Sequence, residues 1–298
     1  MSAHPHPTHN SQLTTHNFLM PPPLAIFLSP HFDDIPLSCG GTAVRLSRMG
    51  ARCVGLVVCA APEPEGTGLS EYANFQHEQW QSAGGNAGVS INQVRREEER
   101  AAMRLLGLEP VWLDVPDAPY RRHAAGASLY NSDEDLFGNV KREERRTLVP
   151  RIADEIRRVV REHGGERGRV RVFAPLGVGH HVDHQLVFWA ARRLGPRFGV
   201  LFYEDYPYAS KPGLLDRRLR ELNMPVRPRL TPISELIGLK IAAITRYKSQ
   251  LDVLFGSSQA MPGAVRDYAR WVASSGDHAG EYAERVWYLP PVYSIGLK

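Results

Sequence analysis

The chain reads as an α/β protein, a mostly parallel sheet with helices on both faces. Three observations predict it. Runs such as Leu24-Ala25-Ile26-Phe27-Leu28 and Cys53-Val54-Gly55-Leu56-Val57-Val58-Cys59-Ala60 are apolar at successive positions, as strands inside parallel sheets are. Segments of helical spacing separate successive runs, the order that βαβ units produce. Polar clusters rich in His and Asp follow two of the runs, where open α/β sheets present their reactive groups.

At 298 residues, 43% hydrophobic and 23% charged, the composition suits a globular protein with a sizeable core. Residues 1–23, rich in His, Thr, Asn and Pro, are expected to form a disordered tail, with Pro21-Pro22-Pro23 as a stiff lead-in. Residues 24–298 are expected to form a single domain. His4, His6, His9 and His16 sit in the tail with nothing rigid to fix a coordination geometry, so they read as polar filling.

Each element follows from its local pattern. The first strand ends at Ser29-Pro30, and a helix is expected over 42–49, closed by Gly50. The second strand covers 53–60. Residues 62–90 are irregular, with one short helix over 72–80. So long a connection at a strand's carboxyl end suits a lid or a substrate wall. Residues 94–106, rich in Arg, Glu, Ala and Leu, predict a helix capped by Gly107. A third strand over 111–115 leads into a long loop through Gly138. Then come a helix over 145–163, a strand over 170–175, a helix over 182–194 and a strand over 198–203. A long helix over 233–255, a shorter one over 264–273 and a late strand over 285–289 complete the chain.

Composition excludes several function classes. Net charge is +4, from 36 basic and 32 acidic residues. The signs alternate, as in Arg95-Arg96-Glu97-Glu98-Glu99-Arg100, which suits solvated helix faces and not a nucleic-acid stripe. Cys39, Cys53 and Cys59 form no C-x-x-C pair, so neither a disulfide scaffold nor a redox motif is expected. No apolar run approaches the roughly 18 residues of a membrane span. No leader pattern is visible, and a cytoplasmic location is the expectation. Assembly into a homo-oligomer stays open.

The first strand delivers His31-Phe32-Asp33-Asp34; the fourth delivers Gly177-Val178-Gly179-His180-His181-Val182-Asp183-His184. Catalytic zinc usually takes three protein ligands and leaves a position for water. His31 and Asp34 from one loop and His184 from the other make such a set, so one zinc ion per chain is the expected cofactor. Asp33, whose side chain diverges from that of its neighbour, is suited to take a proton from zinc-bound water, whose pKa the metal lowers towards about 7. His181 suits stabilising an oxyanion or protonating a leaving amine. Asp183 suits holding the His181 ring in one tautomer. Each cluster alone has a plain alternative, since paired acids cap helices and histidines decorate helix surfaces. Two clusters at strand ends of one parallel sheet favour the metal.

Pro30-His31-Phe32-Asp33-Asp34, then Gly40-Gly41, with His181-Val182-Asp183-His184 later, resembles the LmbE-like (PIG-L) superfamily of zinc-dependent N-acetylglucosamine deacetylases. The resemblance runs from about residue 24 to about 208. It takes in Arg95-Arg96-Glu97-Glu98 with Leu106-Gly107, which is similar to the family's R-x-x-E…LG helix, together with Asp117-Ala118-Pro119-Tyr120-Arg121 and Tyr203-Glu204-Asp205-Tyr206-Pro207-Tyr208. Ile35 stands where the family usually has Glu, and Phe32 where Pro is common. The resemblance implies a Rossmann-like fold, zinc on His31, Asp34 and His184, Asp33 as general base, His181 as the polarising or protonating histidine and Asp183 as its orienting acid. It also implies Arg95 as an arginine that reaches the substrate.

Around this core of residues, Tyr120, Arg121, Tyr206 and Tyr208 are candidates for contact with a sugar, with loop packing as the alternative. Glu98 is expected to pair with Arg95 one turn away. Cys39 reads as a small buried residue. The expected function is removal of an N-acetyl group from a small molecule or glycan containing N-acetylglucosamine. The rivals are a non-catalytic sugar- or nucleotide-binding module and a metal-dependent hydrolase of another bond, such as a phosphoester.

Overall fold

The computed structural model describes residues 24–64, 68–84, 90–165, 170–276 and 280–289; the tail expected over 1–23 lies outside them. Strand β1 (Leu24–Ser29) is buried along its whole length because its alternate side chains feed two cores. Leu24, Ile26 and Leu28 join the core on one face of the sheet, Ala25 and Phe27 the core on the other. The elements that follow are α1 (Asp34–Arg48), β2 (Arg52–Val57), α2 (Glu71–Gly84), α3 (Ile91–Leu106), β3 (Glu109–Trp112), α4 (Asp133–Leu136), α5 (Arg142–Glu162), β4 (Val170–Pro175), α6 (Val182–Arg192) and β5 (Phe198–Tyr203). The chain continues through α7 (Leu214–Leu222), β6 (Arg227–Pro232), α8 (Ile237–Ile244), α9 (Lys248–Phe255), α10 (Met261–Ala273) and β7 (Ala283–Tyr288).

The strands form one sheet of order β3-β2-β1-β4-β5-β7-β6. The first five run parallel; β7 pairs antiparallel with both β5 and β6. Apolar faces of α5, α6 and α7 cover one side, those of α1, α3, α8 and α10 the other. The mostly parallel α/β sheet predicted from the alternation of runs is the fold observed. Strand β6, with Pro228 and Pro232, sits at the sheet edge, where a missing N–H disrupts no inner ladder. Its short, proline-broken sequence gives no alternation to read, so β6 and the antiparallel end of the sheet were not foreseen.

Two helices differ from expectation for tertiary reasons. The helix expected over 42–49 starts eight residues earlier at Asp34, with a non-helical residue at Cys39. Pro36 lies in the first turn, where its absent N–H has no intrahelical partner to lose. Beyond the break at Cys39, Glu284 of β7 accepts hydrogen bonds from the N–H groups of Gly41 and Thr42 and from the Thr42 hydroxyl. A Cβ on Gly41 would lie 2.6 Å from Ile233, so only glycine lets this helix approach so closely. The long helix expected over 233–255 is two helices, broken between Ile244 and Lys248. Its apolar spacing runs through the break, but α3 holds the junction. Glu99 accepts from the Tyr247 hydroxyl at 2.6 Å, and Glu98 accepts from the backbone and hydroxyl of Ser249. Glu98, expected to pair with Arg95, is thus turned to α9.

Among the described residues no helix is long and apolar enough to cross a membrane.

Candidate active site

Strands β1 and β4 lie side by side, and the chain leaves them for opposite halves of the sheet. Their carboxyl ends therefore enclose a crevice, the place where open α/β sheets bind ligands. It opens into a cleft of about 910 Å³, space open to solvent included, with His31, Asp33, Asp34, Arg95, His181 and His184 among its lining residues.

The β1–α1 turn sets the first group. Asp33 has φ 97°, a left-handed conformation unusual outside glycine. Its carbonyl accepts from Leu37 N–H and its own N–H donates to Glu99 Oε2 at 3.1 Å. One carboxylate oxygen of Asp34 folds back to accept from His31 N–H at 2.8 Å, while the other lies 3.5 Å from His184 Nε2.

The second group starts at β4. Gly177 and Gly179 have positive φ, and a Cβ on Gly179 would lie 2.5 Å from the Tyr208 ring. This loop carries His181 to the N-terminal cap of α6, where its Nδ1 accepts from Asp183 N–H at 3.2 Å. His184 follows one turn later. Its Nδ1 donates to Asp205 Oδ1 at 2.7 Å, which leaves Nε2 with a lone pair facing Asp34. Asp205 is held in turn by the N–H groups of Gly177 and Val178.

His31 is held in the same way. Its Nε2 lies 3.0 Å from Asp183 Oδ2 and 3.5 Å from Asp117, so Nδ1 is the nitrogen left towards Asp34, 3.7 Å from its Oδ2. Two ligands of a tetrahedral ion, each at about 2.1 Å, stand roughly 3.4 Å apart. The 3.5 Å to His184 Nε2 and the 3.7 Å to His31 Nδ1 are near that spacing and long for direct hydrogen bonds, but they run to different oxygens of Asp34, and the one facing His31 already accepts from His31 N–H. Among the described residues the nitrogens of His31, His181 and His184 lie within 4.8 Å of one another, close enough to hold an ion, a set with His181 in the place expected for Asp34. His181 is poorly suited to do so, because Asp183 N–H occupies its Nδ1 and leaves the proton on Nε2. A further grouping, His31 with Cys59 and Asp183, has the Asp183 carboxylate already committed to Arg121 and burial pushing the Cys59 thiol pKa up.

Electrostatics sort these groups. Burial opposes the charged form of His31, but Asp117 and Asp183 outweigh it and raise its pKa. His184 is raised against burial by Asp34 and Asp205. Burial, then the neighbouring His31, lowers His181, which keeps it a neutral imidazole with an Nε2–H donor. Burial and then Asp34 raise Asp33, the direction that suits a proton acceptor.

Asp183 and Arg121 differ from expectation. Asp183, expected to orient His181, turns its carboxylate to His31 and Arg121, and its Oδ2 is 3.9 Å from His181 Nδ1. The backbone N–H of residue 183, and not its acid, contacts His181. Arg121, a candidate sugar contact, is buried in ion pairs with Glu144 and Asp183 and stacks on Tyr130. It steadies Asp183 from behind. Arg95 lines the cleft with its guanidinium over Phe32. Tyr120 lines a small recess beside the cleft with Glu63, Asn92 and Asp117, its hydroxyl 3.0 Å from His77. Tyr206 and Tyr208 both line the cleft, and the Tyr208 ring meets His184 edge-on.

Neither Asp205 nor Glu99 was foreseen from the sequence as part of the site. Asp205 carried a usable signal, an acid just past a strand that neighbours β4. Glu99 had none, because in a run of three glutamates only the packing of α3 distinguishes the buried one.

Comparison with known proteins follows the same lines. The family model described as GlcNAc-PI de-N-acetylase, PIG-L, matches residues 26–194. The chain is 30% identical over 242 residues to a 2'-N-acetylparomamine deacetylase of Niallia circulans, covering 78% of this chain and 82% of that one. It is 32% identical over 284 residues to a 2'-N-acetylparomamine deacetylase of Streptomyces fradiae, covering 89% and 90%. Among solved structures, a zinc-inhibited form of teicoplanin deacetylase superposes with a TM-score of 0.70 at 24% identity, covering 89% of this chain and 97% of that one.

Proposed function

Because the chain belongs to the PIG-L family and resembles deacetylases along most of its length, we propose that it is a zinc-dependent amide hydrolase removing the N-acetyl group from an N-acetylglucosamine unit of a small glycosylated molecule. The observation that carries this reading is the Asp34 carboxylate set between His31 and His184, with Asp33 beside it and a neutral His181 across the cleft. His31 Nδ1, Asp34 and His184 Nε2 are the atoms that would hold the ion. When bound, zinc supplies Lewis acidity, acidifying water and polarising the acetyl carbonyl.

The chain's own residues do the rest. Asp33, raised towards the range of a useful base, takes the proton of the attacking water. His181 Nε2–H donates to the oxygen that gains charge as the carbonyl becomes tetrahedral. Collapse needs a proton on the departing nitrogen, and the proton taken by Asp33 supplies it. Asp183 and Asp205 keep each ligand histidine in the tautomer whose free nitrogen faces Asp34. The names of the Niallia circulans and Streptomyces fradiae relatives favour a small amino-sugar compound as substrate.

Acetate release from a panel of N-acetylglucosaminides, with and without chelator, tests the proposal. Chelator-sensitive release, lost in Asp33→Asn while bound zinc is retained, is the expected result. Phosphate release in place of acetate would make the protein a phosphoester hydrolase. Sugar binding without release would make it a binding module.

A further inference from the structure

Glu99 is wholly buried, and one of its two hydrogen bonds reaches the backbone of the turn carrying Asp33. Its Oε2 accepts from Asp33 N–H at 3.1 Å and from the Tyr247 hydroxyl at 2.6 Å, while Oε1 has no hydrogen-bond partner among the described residues. A buried carboxyl that is only half satisfied is an expensive way to fill space. An alanine or leucine at this position of α3 would pack without that penalty. The turn it contacts is itself unfavourable, since a residue with a Cβ seldom takes a left-handed backbone. Asp33 N–H is buried there and needs an acceptor. Tyr247 stands at the break between α8 and α9, so the two helices, α3 and the catalytic turn all meet at one carboxyl oxygen.

We infer that Glu99 is a positioning residue, which grips the backbone of Asp33 in its left-handed turn and so aims the base at the substrate, with Tyr247 aiming Glu99. The inference rests on the reading of Asp33 as the base. It also separates Glu99 from Glu98, whose carboxylate serves the α9 junction through Ser249.

The test compares Glu99→Ala, Glu99→Gln and Tyr247→Phe with the parent enzyme and with Asp33→Asn, all zinc-loaded. Glu99→Ala should lose about tenfold or more in kcat with KM little changed and zinc content intact, because the ligands are untouched and only the base wanders. Glu99→Gln, whose amide oxygen can still accept from both donors, should restore most of the rate. Tyr247→Phe should fall between them. A crystal structure of Glu99→Ala should show residue 33 departing from positive φ, a readout independent of turnover. The inference fails if Glu99→Ala keeps kcat within about twofold, if Glu99→Gln is as slow as Glu99→Ala, or if residue 33 keeps its conformation in Glu99→Ala. Full activity in Asp33→Asn would instead remove the base itself, a separate failure that the same series detects.

Discussion

Asp205 Oδ1 lies 2.7 Å from Nδ1 of His184, and Asp183 Oδ2 lies 3.0 Å from Nε2 of His31. Each imidazole is therefore turned by a buried acid so that its other nitrogen faces Asp34. Opposite ring atoms are presented, and they face the two oxygens of the same carboxylate. Asp205→Asn keeps an acceptor but loses the charge, and should weaken zinc affinity about tenfold; Asp205→Ala should weaken it nearer a hundredfold. Competition against a chromogenic chelator measures both, and excess zinc should restore much of the lost turnover.

Asp183 N–H holds Nδ1 of His181, which places the proton of the neutral ring on Nε2. His181→Ala should lower kcat by two to three orders of magnitude, roughly the value of one donor to a developing oxyanion, and leave zinc content unchanged. A loss of zinc in this variant would make His181 a ligand.

Glu99 also predicts a pH effect on stability. Burial raises its pKa from 4.5 to about 7. The folded state thus binds this proton more tightly than the unfolded chain. Below the unfolded value both states are protonated and Glu99 adds no pH dependence. As pH rises from 4.5 through 7 the unfolded chain gives up its proton first, so stability falls, by on the order of 3 kcal/mol in all. Glu99→Gln removes this slope. Urea unfolding of the metal-free proteins at about pH 5 and about pH 8 should show the variant gaining on the parent as pH rises.

Lys240 and Glu284 form a buried ion pair at 2.7 Å that also caps the second part of α1 through Gly41 and Thr42. Glu284→Ala leaves a buried ammonium and two backbone donors without their acceptor. It should cost about 3–5 kcal/mol in urea unfolding. Adding Lys240→Met should recover part of that loss, because the stranded charge is then gone.

How much of this was legible depended on how local the signal was. Strands β1, β4 and β5 are uniformly or nearly uniformly apolar, and burial on both faces of a parallel sheet leaves that mark in any single strand. The C-terminal cap of α3 at Gly107 was readable for a similar reason, since its φ of 73° suits glycine. The start of α1 was hidden behind Pro36, Gly40 and Gly41, residues that break helices by propensity. Here Glu284, far along the chain, satisfies the helix after its break. The junction of α8 and α9 was hidden in the opposite sense, since its residues favour helix and two acids of α3 open it.

The sequence by itself determined the family, the parallel α/β sheet, and the presence of His31, Asp33, Asp34, His181 and His184 on two strand-end loops. Residue type and spacing are enough for that, because strand direction carries both loops to one edge. Only the tertiary structure decided which acid serves which histidine, that Asp183 and Arg121 stand behind His31, that Asp205 serves His184, and that Glu99 and not Glu98 reaches Asp33. Those pairings join residues from 21 to 152 positions apart in the chain. They depend on how helices and strands pack, and a hydrogen bond of about 3 Å leaves no trace in the local periodicity of either partner.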